Sequence, residues 1–301
     1  LSRQSLITRH LAGIVKRLDT SRVVTAGCNE VNPANHLFRS DALDVLGFNY
    51  HERYFEPFLR NFPGKKLIVS ESTSALMTRG YYEMPSDHIY IRPESWDKPF
   101  EAPEHVCSSY DNCHVPWGST HEKTWHLVKT LPHVSGLFVW TGFDYLGEPT
   151  PYWWPSRSSF FGIVDLAGFP KDVYYMYKSE WTDEPVLHIF PHWNWKEGEP
   201  VDIWGYYNNA DEVELYLNGK SLGVRQKTDS TYHVSWRVPF TPGTLRAVSR
   251  LGGKEVLVKE IHTAGEPARL VLTPDRSVIQ ADGSDLSFIT VDVTGFPTLP
   301  R

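Results

Sequence analysis

Four apolar segments that run straight into polar residues constrain this chain most. They read RVVTAG at 22–27, LDVLGFN at 43–49, KLIVS at 66–70 and VSGLFVW at 134–140. None alternates apolar with polar, so neither face of these strands is built to meet water. Continuous apolar strands belong to a parallel sheet covered on both faces. Helical patterns fill the intervals. Leu6, Leu11, Ile14, Val15 and Leu18 make an apolar helical face. A short helix fits 53–61 and stops at Pro63-Gly64. Another fits about 120–131, with STHE at 119–122 reading as a capping box. A last helix is expected from Pro170 to about residue 182.

After residue 183 the pattern changes. Residues 184–265 carry short alternating strands with hairpin turns at Asn218-Gly219 and Gly252-Gly253, the pattern of a β-sandwich. Residues 266–301 hold two more strands, at about 268–273 and 286–293. That is too little for a second sandwich, so this segment is expected to be part of one. The chain opens on Leu1, not Met, and reads as a piece of a longer protein.

Composition excludes several functions. The net charge is −6 and the basic residues are dispersed, which argues against a nucleic-acid partner. No apolar run approaches the roughly 18 residues of a membrane span. Three cysteines form neither a disulfide framework nor a metal set, although Cys107 and Cys113 could pair locally. The 13 histidines show no ligand spacing, so neither a metal nor a cofactor is expected. Aromatic content is 14 %, and much of it lies between Glu71 and Ser119: Tyr81, Tyr82, Tyr90, Trp96, Phe100, Tyr110 and Trp117. So long and aromatic a connection is expected to line an active site or substrate subsite.

The strand ends carry the chemistry. The first leads into Cys28-Asn29-Glu30, the second ends in Asn49-Tyr50-His51, the third in Glu71, and the fourth in Trp140 with Asp144 close behind. In a parallel α/β architecture such ends converge on one site. A carboxylate beside hydrogen-bond donors and an aromatic wall suits attack on a sugar's anomeric carbon.

The segments GFNYH (47–51), IVSESTSA (68–75) and FVWTGFDYLGEPTPYWWPSRSSFFGIVDLAGFPKD (138–172) resemble the second half of the catalytic domain of glycoside hydrolase family 2, in its bacterial β-galactosidase branch. VELYLNGKSLG resembles the immunoglobulin-like domain that follows it. The resemblance covers about 1–265 in order. It implies an α/β plus all-β chain: strands five to eight of a (β/α)8 barrel over 1–183, an immunoglobulin-like sandwich over 184–265 and the start of another over 266–301. It implies a retaining exo-β-glycosidase with Glu71 as nucleophile. Asn49, Tyr50, His51, Trp140 and Asp144 would be substrate-binding. The partner would be a β-linked glycoside, with oligomers possible and a periplasmic or secreted location. The family's general acid/base is expected upstream of Leu1. Its rival within the chain is Glu30, which would break the family's order of motifs. Two alternatives stand beside this reading: a uronidase that uses Arg79 or Arg157, and a non-catalytic carbohydrate-binding module.

Overall fold

The computed structural model describes residues 2–95, 97–98 and 100–295. Trp96 and the tail from 296 to 301 lie outside the described residues. The chain divides into two compact units: Leu1–Glu184 with Lys227–His233, and Pro185–Gln226 with Val234–Arg301.

The first unit opens with α1 (Arg3–Leu18), β1 (Gly27–Cys28), α2 (His36–Arg39) and β2 (Val45–Asn49). A 3-10 turn (Glu52–Tyr54), α3 (Phe58–Asn61) and β3 (Lys66–Thr73) follow. After β4 (Tyr90–Ile91) and β5 (Cys113–His114) come α4 (His121–Thr130), β6 (Val134–Trp140) and α5 (Asp172–Trp181). The main sheet has the order β1-β2-β3-β6, and every pair is parallel. Phe48, Leu67 and Val69 in its strands are fully buried. They belong to one cluster with Phe38, Phe58, Phe62, Val128 and Val134. Phe48 meets the rings of Phe58 and Phe62 edge-on at 5.5 and 5.7 Å.

Several expectations are corrected. Only Gly27–Cys28 of the first strand pairs; at Val24 the Asp44 carboxylate takes the amide at 2.8 Å. The third strand does not stop at Ser70 but runs on to Thr73, so Glu71 sits inside it. The apolar face of α1 is not its packed one. Ser5, Thr8 and Ala12 are buried, while Leu6, Leu11, Val15 and Leu18 are exposed. On the buried side, Ser5 Oγ donates to the His36 carbonyl and Arg9 Nε to that of Ser40. The capping box on α4 does not form. Thr120 is the N-cap, and the Asp111 carboxylate takes the His121 and Glu122 amides at 2.8 Å each. Glu122 instead accepts from Tyr232 N and pairs with His233 Nδ1 at 2.7 Å. Helix α5 starts two residues after Pro170.

The aromatic stretch is also packed more than it is open. Leu76, Cys107, Cys113, Val115, Tyr152 and Phe161 form a second core. Tyr110 is fully buried. Arg92 lies between the Tyr90 and Phe100 rings, 4.4 and 4.7 Å from their centroids, and binds Glu83 with both terminal nitrogens. Most of these rings are spent on holding the segment together. All three cysteines are free and buried.

The second unit is antiparallel. It comprises β7 (Leu187–Phe190), β8 (Pro200–Tyr207), β9 (Glu212–Leu217), β10 (Lys220–Arg225), β11 (Val234–Pro239), β12 (Thr244–Leu251) and β13 (Lys254–His262). Two sheets result, ordered β11-β8-β7 and β10-β9-β12-β13. Both predicted hairpin turns have two left-handed residues: Asn218 and Gly219 at φ 52° and 80°, Gly252 and Gly253 at 55° and 78°. That is the type I′ turn such dipeptides favour. Then β14 (Pro267–Pro274) and β15 (Ile289–Gly295) form a separate two-stranded ribbon.

Candidate active site

The site grows from a slip in the ladder between β2 and β3. Phe48 pairs with Val69, but Asn49 pairs with Glu71, so Ser70 is one extra residue on β3. Side chains alternate between faces along a strand, and a bulge shifts that alternation by one. The bulge therefore puts Glu71 on the same face as Asn49. A glycine makes the room: a Cβ at Gly47 would come 2.5 Å from the Ala26 carbonyl oxygen and 2.9 Å from Ser70 Oγ.

Hydrogen bonds then orient the Asn49 amide. Its Nδ2 donates to Glu71 Oε1 and to Asn29 Oδ1, each at 2.9 Å, and its Oδ1 accepts from Ser70 Oγ at 2.7 Å. A carboxylate only accepts, so the amide nitrogen must face it. The chain leaves β2 through two left-handed residues, Tyr50 and His51, at φ 58° and 61°. The Tyr50 amide donates to the Glu71 carbonyl at 2.7 Å. Tyr50 is buried, and its phenol meets the Glu71 carboxylate, Ser74 Oγ and the Trp117 indole N–H. Burial, ahead of the nearby Glu71 charge, pushes this phenol far above its ordinary pKa, so it keeps its proton. Among the described residues, the side-chain donor on the Glu71 carboxylate is the neutral amide of Asn49.

The other expected residues divide. His51 Nε2 bonds the Asn29 carbonyl, so it braces the loop after β1. Trp140 lies opposite Thr73 in the ladder between β3 and β6, two residues beyond Glu71. Its indole N–H donates to the Tyr145 hydroxyl at 3.1 Å, and Tyr145 donates to Glu148. Asp144 is not brought to Glu71. It pairs with buried Lys171 at 2.7 Å and accepts from Gly162 N at 2.8 Å. Glu30 is exposed, and its carboxylate is 3.5 Å from Asn35 Nδ2. Sequence reasoning missed Ser70 and Ser74, and it named Asn29 at the end of the first strand without a role. It named Trp117 only as one ring in a run. A serine beside a strand-end glutamate is too common to stand out.

This geometry can be set against known proteins. A domain of unknown function (DUF4982) matches residues 198–257. The β-galactosidase BoGH2A of Bacteroides ovatus is 61 % identical over 289 residues, which are 96 % of this chain and 34 % of that protein. A putative β-glucuronidase of Formosa agariphila is 34 % identical over 285 residues, covering 85 % of this chain and 26 % of that one. Among solved structures, a β-glycosidase from Bacteroides vulgatus superposes with a TM-score of 0.84 at 30 % identity, covering all of this chain and 40 % of its own. A glycosyl hydrolase family 2 member from Bacteroides cellulosilyticus gives 0.70 at 29 % identity, covering 97 % of this chain and 35 % of that one.

This chain belongs to glycoside hydrolase family 2. It spans about a third of the length of the first of these curated relatives.

Proposed function

We propose that this chain is the nucleophile-bearing part of a retaining exo-β-glycosidase that removes terminal β-galactosyl groups. The carrying observation is the carboxylate of Glu71, turned by a bulge towards Asn49 and held by its amide. Glu71 attacks the anomeric carbon, the aglycone leaves, and a glycosyl ester forms with inverted configuration. Water then cleaves the ester with a second inversion. Asn49 keeps one carboxylate oxygen aimed, Trp140 supplies an apolar wall, and His51 holds the neighbouring loop.

In this reading β1, β2, β3 and β6 are strands five to eight of a (β/α)8 barrel over 1–183. An immunoglobulin-like domain covers 184–265, and part of another covers 266–301. The general acid/base lies on the part of the barrel that precedes these strands, in a protein exported to the periplasm or beyond. Chain 1–301 alone is then inactive, and its open sheet edges favour association. Losing a general acid by itself costs about 10²–10⁴ in rate. The galactoside reading is preferred over a uronide. Of the two arginines a uronidase would use, Arg79 already pairs with Asp165 at 2.7 Å and lies over Phe169, and Arg157 lies over the Trp154 ring, 4.6 Å from its centroid.

The test is Glu71→Gln in the whole enzyme, assayed on chromogenic β-galactoside and β-glucuronide. Galactoside turnover by the parent, abolished in the variant with binding retained, supports the proposal. Turnover that survives Glu71→Gln contradicts it. Preference for the glucuronide overturns the substrate assignment, and parent binding without turnover points to a carbohydrate-binding module.

A further inference from the structure

We propose that Trp153 and Trp154, with Arg157 packed behind, form a platform for the aglycone sugars of a β-galactosyl-terminated oligosaccharide; this rests on the glycosidase reading above. The two adjacent indoles are 70 % and 75 % exposed. Exposed apolar surface of this kind marks a binding surface. The axial C–H groups of a pyranose make its faces apolar, so a sugar ring lies on an indole better than water does. Arg157 leaves one side of Trp154 open for it. Its guanidinium carbon lies 4.6 Å from the Trp154 ring centroid, covering one face and steadying the ring by a cation–π contact.

The rings stand on a fixed base. Tyr152, next in the chain, is buried in the second core, where it meets Phe100, His105 and Phe160. Its hydroxyl donates to the Val106 carbonyl at 2.6 Å. On the far side, Ser156 N donates to the Trp153 carbonyl at 2.9 Å, and Ser156 Oγ bonds His105 Nδ1 at 3.1 Å. A turn pinned at both ends loses little freedom when a ligand settles on it, so more of the contact energy shows as affinity.

Backbone pairing ties this turn to the candidate active site. The chain leaves β6 at Trp140, opposite Thr73. Residues 141–147 run outward, and 157–163 return beside them. Thr141 N donates to the Phe161 carbonyl at 3.1 Å, Ser159 N to that of Tyr145 at 2.8 Å and Gly147 N to that of Arg157 at 2.7 Å. Both tryptophans sit at the tip that joins these limbs. The stem also folds back on the wall of the site, because Tyr145 accepts from the Trp140 indole and donates to Glu148, where the tip begins. Wall and platform therefore share one stem. With a galactosyl group against Trp140, the sugars that follow it extend along this stem to the indoles.

The experiment uses the whole enzyme with β-1,4-galactotriose and with methyl β-galactoside, which has no aglycone sugar. The parent is expected to show the higher kcat/KM on the trisaccharide. Trp154→Ala should lower that value about tenfold, mostly through KM, as losing a tryptophan anchor does. Arg157→Ala should lower it about threefold, and should do nothing further in a Trp154→Ala background. On methyl β-galactoside each variant should stay within about twofold of the parent. Binding gives a second readout: the trisaccharide should shift the tryptophan emission of Glu71→Gln enzyme, and adding Trp154→Ala should remove most of that shift. No parental preference for the trisaccharide, unchanged trisaccharide kinetics in Trp154→Ala, or equal losses on both substrates would each overturn the platform, and additive losses would overturn the part given to Arg157. If Glu71→Gln still turns over, the nucleophile reading has failed instead, and the difference between the two substrates still decides the platform.

Discussion

His121 at the start of α4 and Asp111, which accepts that helix's first amides, are buried titratable residues whose effects on stability oppose one another. Burial, helped by the charge of Glu122, raises Asp111 from 3.8 to about 7. Burial, helped by Lys171, lowers His121 from 6.5 to about 3. For Asp111 the folded state holds a proton that the unfolded state has lost between pH 3.8 and 7. Its stability contribution is full below 3.8 and is lost as pH rises through that window. For His121 the unfolded state binds the proton first, so its contribution is present above 6.5 and is lost as pH falls towards 3. Each slope is about 1.4 kcal/mol per pH unit. The two nearly cancel between roughly pH 4 and 6.5. His121→Asn removes one side. Stability should then fall by about 4 kcal/mol at most from pH 4 to pH 7. Asp111→Asn should show the reverse, losing stability as pH falls below 6.5. Urea denaturation followed by tryptophan fluorescence, with variant and parent compared at each pH, measures this. A His121→Asn variant that tracks its parent at constant offset across the range would refute the opposition.

Other expectations concern packing around the site. Lys171→Met leaves the Asp144 charge buried and unpaired and should cost about 3–5 kcal/mol in denaturant melts, with much of it restored by adding Asp144→Leu. Phe48→Ala empties a fully buried site against Phe58 and Phe62 and should cost about 3–5 kcal/mol by the same assay. Gly47→Ala forces a Cβ against the Ala26 carbonyl and should lower both melting temperature and kcat, because the strand that carries Asn49 must shift.

The parallel sheet was legible because four continuous apolar runs leave little choice of architecture, and the type I′ hairpins because Asn-Gly and Gly-Gly leave little choice of turn. The burial of α1 was not legible. Ser5 and Arg9 bond carbonyls on and just after α2, and nothing in the helical pattern points to those partners. The packing within the aromatic stretch was hidden for a related reason. Composition counts rings but cannot say that Tyr90 and Phe100 are occupied with Arg92. At the site, Glu71 and Asn49 could be named from where the strands run out. The bulge at Ser70 that turns them to one face has no signature of its own, because a one-residue slip depends on the neighbouring strand's register.

The most direct measurement is covalent trapping. The whole enzyme is treated with a fluorosugar that forms the glycosyl ester but releases it slowly, then digested and mapped by mass spectrometry. The account predicts a single label on the peptide that contains Glu71, lost in Glu71→Gln. A label on Glu30 or on any other carboxylate would contradict it.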